Sequence, residues 1–221
     1  MEQMSISELA AMIDASIGGR PAATLAEMAE FYRRLEPHRF AAVMVEPRYV
    51  RSAVEHFRRL GQAVVTVISY PLGAMTTEGK LVQMARALAD GADELDVAID
   101  ISACRSGDLS KVSDELRTVK ALAGDHTVKA IYYSAVLSED EALRAAELIL
   151  EAGITFVKTN PGYGNITTPA HIRAIKRRFG KDLRVMASGG VRTRRDALAM
   201  IEAGADRIAT SSTFAVLEIE P

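Results

Sequence analysis

The feature that most limits what this chain can fold into is an alternation: eight short runs rich in β-branched and apolar residues, separated by longer stretches with helical periodicity. The runs fall at 12–17, 40–45, 63–69, 94–99, 128–133, 155–159, 184–188 and 206–210. Strands separated by helices form parallel βα units, whose strands are covered on both faces and so read as near-continuous apolar runs. The intervening stretches carry helix signals of their own. Thr77 is placed to cap a helix over 78–89, and Ser138 with Glu141 three residues later forms a capping box for 139–151. Gly91, Gly153 and Gly204 each end an alanine-rich amphipathic stretch and lead at once into a strand, where a left-handed residue closes a helix. The related strings Asp90-Gly91-Ala92-Asp93, Ala152-Gly153-Ile154 and Ala203-Gly204-Ala205-Asp206 point to one structural unit used repeatedly.

Eight βα units in 221 residues predict a compact TIM (β/α)8 barrel. The expectation is an α/β chain with one domain over 1–221 and a short N-terminal helix at 5–12 ahead of the first strand. No Gly-x-Gly-x-x-Gly follows that strand, which argues against a doubly wound dinucleotide fold, and no Pro/Ser-rich linker divides the chain. At 48% hydrophobic and 25% charged the chain is not disordered, and its net charge of -2 gives no basic field for nucleic acid or an anionic membrane. A lone cysteine, Cys104, and no N-terminal apolar run behind a basic segment suggest a cytoplasmic protein without signal peptide or membrane span. His38, His56, His126 and His171 are scattered with no Cys or carboxylate at ligand spacing, so neither a metal nor a cofactor is expected. The Arg/Glu-rich segment 48–59 reads as a solvated helix face.

Chemistry in such a barrel sits at the C-terminal strand ends, so polar residues there carry more meaning than elsewhere. Only seven of the 27 basic residues are lysine. Lys80, Lys111, Lys120, Lys176 and Lys181 fall in helical or loop segments and are expected at the surface. Lys129 and Lys158 fall inside strands. With a period of two, Asp96, Ala98 and Asp100 share one face of the fourth strand, Lys129, Ile131 and Tyr133 one face of the fifth, and Lys158 and Asn160 one face of the sixth. Val128, Ala130 and Tyr132 form the opposite, helix-facing side, so an aspartate and two lysines should converge on the barrel axis. A buried ammonium must be paired or lose its proton. The chemical use of such a group is an imine nucleophile, with the aspartate moving protons; the structural alternative is an Asp96–Lys129 ion pair filling the barrel floor. The last two strand ends, Ser188-Gly189-Gly190-Val191-Arg192-Thr193 and Ala209-Thr210-Ser211-Ser212, lie where such barrels hold phosphate on backbone N–H groups. An ordinary tight turn and serine cap would also account for them.

These residues resemble the deoxyribose-phosphate aldolase family, class I aldolases that cleave 2-deoxyribose 5-phosphate through a Schiff base. The matching strings are Tyr70-Pro71-Leu72-Gly73, Gly91-Ala92-Asp93-Glu94-Leu95-Asp96, Phe156-Val157-Lys158-Thr159, Ala187-Ser188-Gly189-Gly190-Val191-Arg192-Thr193 and Thr210-Ser211-Ser212. The resemblance implies Lys158 as the Schiff-base lysine, Asp96 as the acid of the proton relay, Lys129 as a further active-site lysine, and Gly189, Gly190, Ser211 and Ser212 as the phosphate holders. Asp14, Ser16, Asn160 and Tyr133 are expected against the substrate. It also implies a small phosphorylated substrate and a homo-oligomer.

The chain departs from the family pattern around the same cavity. The family's lysine on strand seven is Met186 here, its Asp-His-Thr near the N-terminus is Asp14-Ala15-Ser16, its strand-two cysteine is Met44, its Glu-Thr after strand five is Tyr133-Ser134, and the loop after Lys158 reads Asn160-Pro161-Gly162-Tyr163. One cation fewer beside Lys158 favours its protonated form, a change that Lys129 partly offsets. Three readings follow: an aldolase making or breaking a C–C bond in a small phosphorylated sugar or aldehyde; a Schiff-base enzyme with an altered outcome such as dehydration, cyclisation or another condensation; and a non-catalytic phosphosugar-binding homologue.

Overall fold

The computed structural model describes residues 4–17 and 23–219. Eight strands, β1 (Ile13–Ser16), β2 (Ala42–Val45), β3 (Val64–Ile68), β4 (Glu94–Ala98), β5 (Thr127–Ile131), β6 (Phe156–Lys158), β7 (Arg184–Ser188) and β8 (Arg207–Thr210), pair in parallel in sequence order. β1 also pairs with β8, through Ile13 and Ile208, Asp14 and Ala209, and Ala15 and Thr210, which closes the barrel. The expected fold is therefore the observed one, with strand boundaries shorter than predicted by one or two residues at several ends. A short helix α1 (Ile6–Ala10), capped by a Ser5/Glu8 box, precedes β1.

The helices that cover the barrel are α2 (Leu25–Leu35), α3 (Val50–Phe57), α4 (Thr77–Ala89), α5 (Ile101–Arg105), α6 (Leu109–Ala123), α7 (Glu139–Glu151), α8 (Pro169–Phe179), α9 (Arg194–Glu202) and α10 (Thr213–Leu217). None of the described helices is long and apolar enough to cross a membrane. Ser138 and Glu141 form the predicted capping box of α7. The cap of α4 is Thr76 rather than Thr77: Thr76 Oγ1 accepts from Gly79 N–H, while Thr77 Oγ1 contacts Glu115 at 3.3 Å. Gly91, Gly153 and Gly204 have φ of 99°, 80° and 106°, the left-handed conformation expected where each helix turns into its strand.

The two strand faces bury different chemistry. Outward residues such as Val43, Leu95, Val97, Val128, Ala130, Val157, Val185 and Ile208 pack with the inner helix faces in one continuous core. Each fully buried Val, Leu or Ile there contributes about 1.5–3 kcal/mol. Inward residues form separate small groups, Ala98 with Ile131 and Tyr133, and Phe156 with Met186 and Ala209, and between these lie the charged side chains of the axis.

One surface expectation fails. Lys80 is fully buried on the same stripe of α4 as Met84 and Ala87, and its Nζ meets Glu115 of α6 at 2.7 Å. Glu115 also accepts the Asp100 N–H at 3.1 Å, so the ion pair staples α4 and α6 to the end of β4.

Candidate active site

The alternation of β4, β5 and β6 brings Asp96, Lys129 and Lys158 together on the barrel axis, as their positions in sequence required. In register, Asp96 lies beside Lys129, Ile131 beside Lys158, and Lys158 beside Met186. One carboxylate bridges the two lysines: Asp96 Oδ1 is 2.8 Å from Lys129 Nζ, and Oδ2 is 2.6 Å from Lys158 Nζ. All three side chains are buried.

The lysines have different surroundings. Lys129 Nζ also contacts Glu94 at 2.7 Å and Asp14 at 3.1 Å, so three carboxylates enclose it. Arg207 completes this floor, meeting Glu94 at 2.7 Å and Asp14 at 3.3 Å. Burial pushes Lys129 toward the neutral amine, but Asp14, Asp96 and Glu94 together outweigh it and hold the ammonium well above the ordinary lysine value. Burial likewise raises Asp96 and Glu94, yet the cations win for both: Lys129 and Lys158 hold Asp96 below its usual range, and Lys129 and Arg207 hold Glu94 below its own. For Asp14 the balance reverses. Burial lifts it above the ordinary carboxylate value against the pull of Lys129 and Arg207, with the Asp96 and Glu94 charges opposing its ionisation.

Lys158 has Asp96 as its ion-pair partner and faces a cavity of about 330 Å³. Ser16, Met44, Ala209 and Ser188 surround the inner part of the lining with Lys158, and Gly189, Gly190, Val191, Arg192, Thr210 and Ser211 bring in the last two strand ends. The loop after β6 contributes Pro161 to Ile166, and Tyr70 contributes from the loop after β3. Tyr70 and Tyr163 meet edge to face at 5.6 Å between ring centres, and the Tyr70 hydroxyl donates to the Pro161 carbonyl. Thr210 Oγ1 donates to the Val191 carbonyl at 2.7 Å, which ties the two last loops together. Gly189, at φ 95°, could carry no side chain here, because a Cβ would stand 2.3 Å from the Asn165 carbonyl oxygen.

Of the residues expected at the site, Lys158, Ser16, Gly189, Gly190 and Ser211 line the cavity, and Asp96 stands directly behind Lys158. The others are placed differently. Lys129 and Asp14 belong to the sealed floor. Tyr133 turns its hydroxyl to the Pro71 carbonyl and packs on Ala98 and Ile131. Ser212 precedes α10, its N–H donating to Thr210 Oγ1 at 2.9 Å. Asn160 is fully buried with its amide satisfied by protein: Oδ1 accepts from Ala135 N–H, and Nδ2 donates to Ser134 and Thr167. Expected against substrate, Asn160 instead braces loops, because the chain turns after Lys158 and strand alternation no longer sets its direction.

Glu94, Arg207 and Tyr70 were given no place at the site from sequence, and Tyr163 entered only with the loop after Lys158 among the departures around the cavity. The first two carry a readable signal, since each lies two residues from an inward position, Glu94 before Asp96 and Arg207 before Ala209. The two tyrosines sit in loops, where no periodicity applies.

Comparison with known proteins agrees with this geometry. The model of a family described as DeoC/LacD family aldolase matches residues 7–212. The chain is 38% identical over 200 residues to the deoxyribose-phosphate aldolase of Staphylococcus carnosus (strain TM300), a match covering 90% of this chain and 91% of that one. It is 35% identical over 221 residues to the enzyme of the same name from Desulfitobacterium hafniense (strain DSM 10664 / DCB-2), covering 98% and 100%. Among solved structures, an aldolase named QR15 superposes with a TM-score of 0.90 at 34% identity, covering 96% of this chain and 95% of that one. A tetrameric deoxyribose phosphate aldolase from Aeropyrum pernix superposes with a TM-score of 0.89 at 29% identity, covering 97% and 91%. Because the family match runs through all eight strands, including those that carry the lysine–aspartate pair and the glycine turn, the chain belongs to the DeoC/LacD family of aldolases.

Proposed function

We propose that the protein is a Schiff-base aldolase that makes or breaks a C–C bond in a short phosphorylated sugar or aldehyde, with Lys158 as the imine-forming amine. The observation that carries this reading is the position of Lys158 Nζ: it is paired with one carboxylate and faces a cavity that the Gly189-Gly190 turn and Ser211 also line. A substrate of a few carbons, with a carbonyl at one end and a phosphate at the other, matches that arrangement.

In the cleavage direction the neutral Lys158 amine adds to the substrate carbonyl, and the carbinolamine loses water to give an iminium. Removal of the β-hydroxyl proton then sends the electron pair of the breaking C–C bond into the iminium, leaving an enamine and a free aldehyde. Protonation of the enamine carbon and hydrolysis return the lysine. Asp96, 2.6 Å from Lys158 Nζ, is the nearest acceptor for the proton Lys158 must shed and a route for protons to and from water in the cavity. Lys129 holds Asp96 anionic and in place from below. Gly189, Gly190 and Ser211 receive the phosphate on backbone N–H and hydroxyl groups.

The test is cleavage of 2-deoxyribose 5-phosphate, followed by aldehyde release, with Lys158→Ala as control. Turnover that disappears in the variant supports the reading; turnover that persists in it removes Lys158 from the chemistry. A second reading, an altered outcome on the same imine, is favoured by Met186. It lies in register with Lys158, fully buried against Phe156 and Ala209, so an apolar group stands beside the reacting amine. Imine formation with small carbonyls, without cleavage of the deoxyribose phosphate, would select it. The same proposal places the enzyme in the cytoplasm as one domain over 1–221 that self-associates. The tetrameric relative supports self-association, and the single, unpaired Cys104 supports a reducing setting.

A further inference from the structure

The phosphate end proposed above needs peptide N–H groups aimed into the cavity, and the structure contains a device that aims them. A trans peptide is planar, with its C=O and the following N–H pointing in opposite directions. Anchoring the carbonyls of Ser188 and Gly189 on the outer side therefore turns the N–H groups of Gly189 and Gly190 the other way. Thr167 holds both carbonyls: its N–H donates to Gly189 O at 3.0 Å, and its hydroxyl donates to Ser188 O. Neither the Gly189 nor the Gly190 N–H has an acceptor among the described residues.

The Thr167 hydroxyl is itself fixed. Ser188 O also lies 3.1 Å from the Thr159 hydroxyl, the two threonine hydroxyls are 2.6 Å apart, and Asn160 Nδ2 donates to Thr167 Oγ1 at 2.9 Å. Ser188 N–H in turn donates to Thr159 Oγ1 at 3.0 Å. The other Asn160 Nδ2 proton goes to Ser134 Oγ, and Asn160 Oδ1 accepts Ala135 N–H, which anchors the cluster to the loop after β5. Ser134, Thr159, Asn160, Thr167 and Ser188 are all buried. Between Asn160 and Thr167 the chain runs over the cavity through Gly162, Tyr163 and Gly164 at φ 98°, 51° and 87°. A tyrosine in the left-handed region is disfavoured, so this roof depends on its anchored ends.

We propose that Thr167, oriented by Asn160, is a positioning residue that aims the Gly189 and Gly190 N–H groups and so sets the affinity of the site for a phosphate group without taking part in the imine chemistry at Lys158. The inference rests on the phosphate end of the proposed site but not on the aldol reaction. The test titrates inorganic phosphate against thermal stabilisation of the full chain, and in parallel reduces the protein with borohydride in the presence of acetaldehyde. Thr167→Val should weaken phosphate binding about tenfold, as expected for misaligned donors. Asn160→Ala should weaken it less, Thr167→Ser should retain it, and labelling of Lys158 should be equal in all. Unchanged phosphate affinity in Thr167→Val, or loss of Lys158 labelling together with phosphate binding, overturns the proposal. If Thr167→Val does not fold, unchanged affinity in Asn160→Ala overturns it. A wild type that phosphate does not stabilise also overturns it. Phosphate binding that responds as stated in a protein whose Lys158 takes no label leaves this inference standing and removes the aldolase reading alone.

Discussion

Lys129 and Lys158 share Asp96 and lie on adjacent strands, both buried and both on the barrel axis, yet they occupy opposite kinds of place. Lys129 is enclosed by Asp14, Glu94 and Asp96, with Arg207 as a second cation on Asp14 and Glu94. Lys158 has the one remaining oxygen of Asp96 and a cavity in front of it. Burial alone therefore does not separate a nucleophile from a structural ion pair; the number of carboxylates around each ammonium and its access to a cavity do. The floor holds Asp96 in its charged form, and the mouth uses it.

The comparison is broken most sharply by replacing each lysine. Lys158→Met should abolish turnover, by on the order of 10⁴-fold or more, because no other amine among the described residues lines the cavity. The same variant should change stability little, since its charge is paired once and a methionine fills the space. Lys129→Met should do the reverse, lowering the unfolding free energy by about 3–5 kcal/mol, measured by urea denaturation, because three carboxylates lose their common partner. If Lys158→Met proved the more destabilising of the two, the division into floor and mouth would be wrong.

Met186→Lys comes next. It would put a second cation into the apolar group of Phe156 and Ala209 at the level of Lys158. The expected cost is about 2–3 kcal/mol in stability. If the wild type forms the imine without cleaving deoxyribose phosphate, cleavage in this variant would show that strand seven alone redirects the chemistry, and none would show that the rest of the cavity also matters.

Acid separates the carboxylates of the floor. Asp96 and Glu94 are held below their ordinary values of 3.8 and 4.5, so the stability they contribute is present above those values and is lost as pH falls through the lower, folded ones. The urea midpoint should therefore fall steeply below about pH 4, and less steeply in Lys129→Met. Asp14, raised by burial, has the opposite sign: its contribution is present at low pH and lost as pH rises through its folded value. Asp14→Asn should accordingly be the mildest change, within about 1 kcal/mol of wild type at pH 7. A large loss there would mean that the Asp14 charge is essential to the floor.

The barrel was legible because parallel strands leave apolar runs and helices end at glycines. The Lys129–Asp96–Lys158 group was legible because alternation along a strand fixes which side chains share a face. That same regularity could have located Glu94 and Arg207, and the Met84/Ala87 stripe could have placed Lys80 inside. It could not rank Lys129 against Lys158, since both satisfy the same period; their difference lies in Glu94, on the neighbouring strand, and in Asp14, which closure of the barrel brings close. The placements of Tyr70, Tyr163 and Asn160 depend on loop paths, which no periodicity encodes.

The most direct test of the division between floor and mouth is borohydride reduction with acetaldehyde followed by peptide mass spectrometry. The account predicts one ethyl adduct, on Lys158, with Lys129 unmodified. An adduct on Lys129, or none on Lys158, would contradict it.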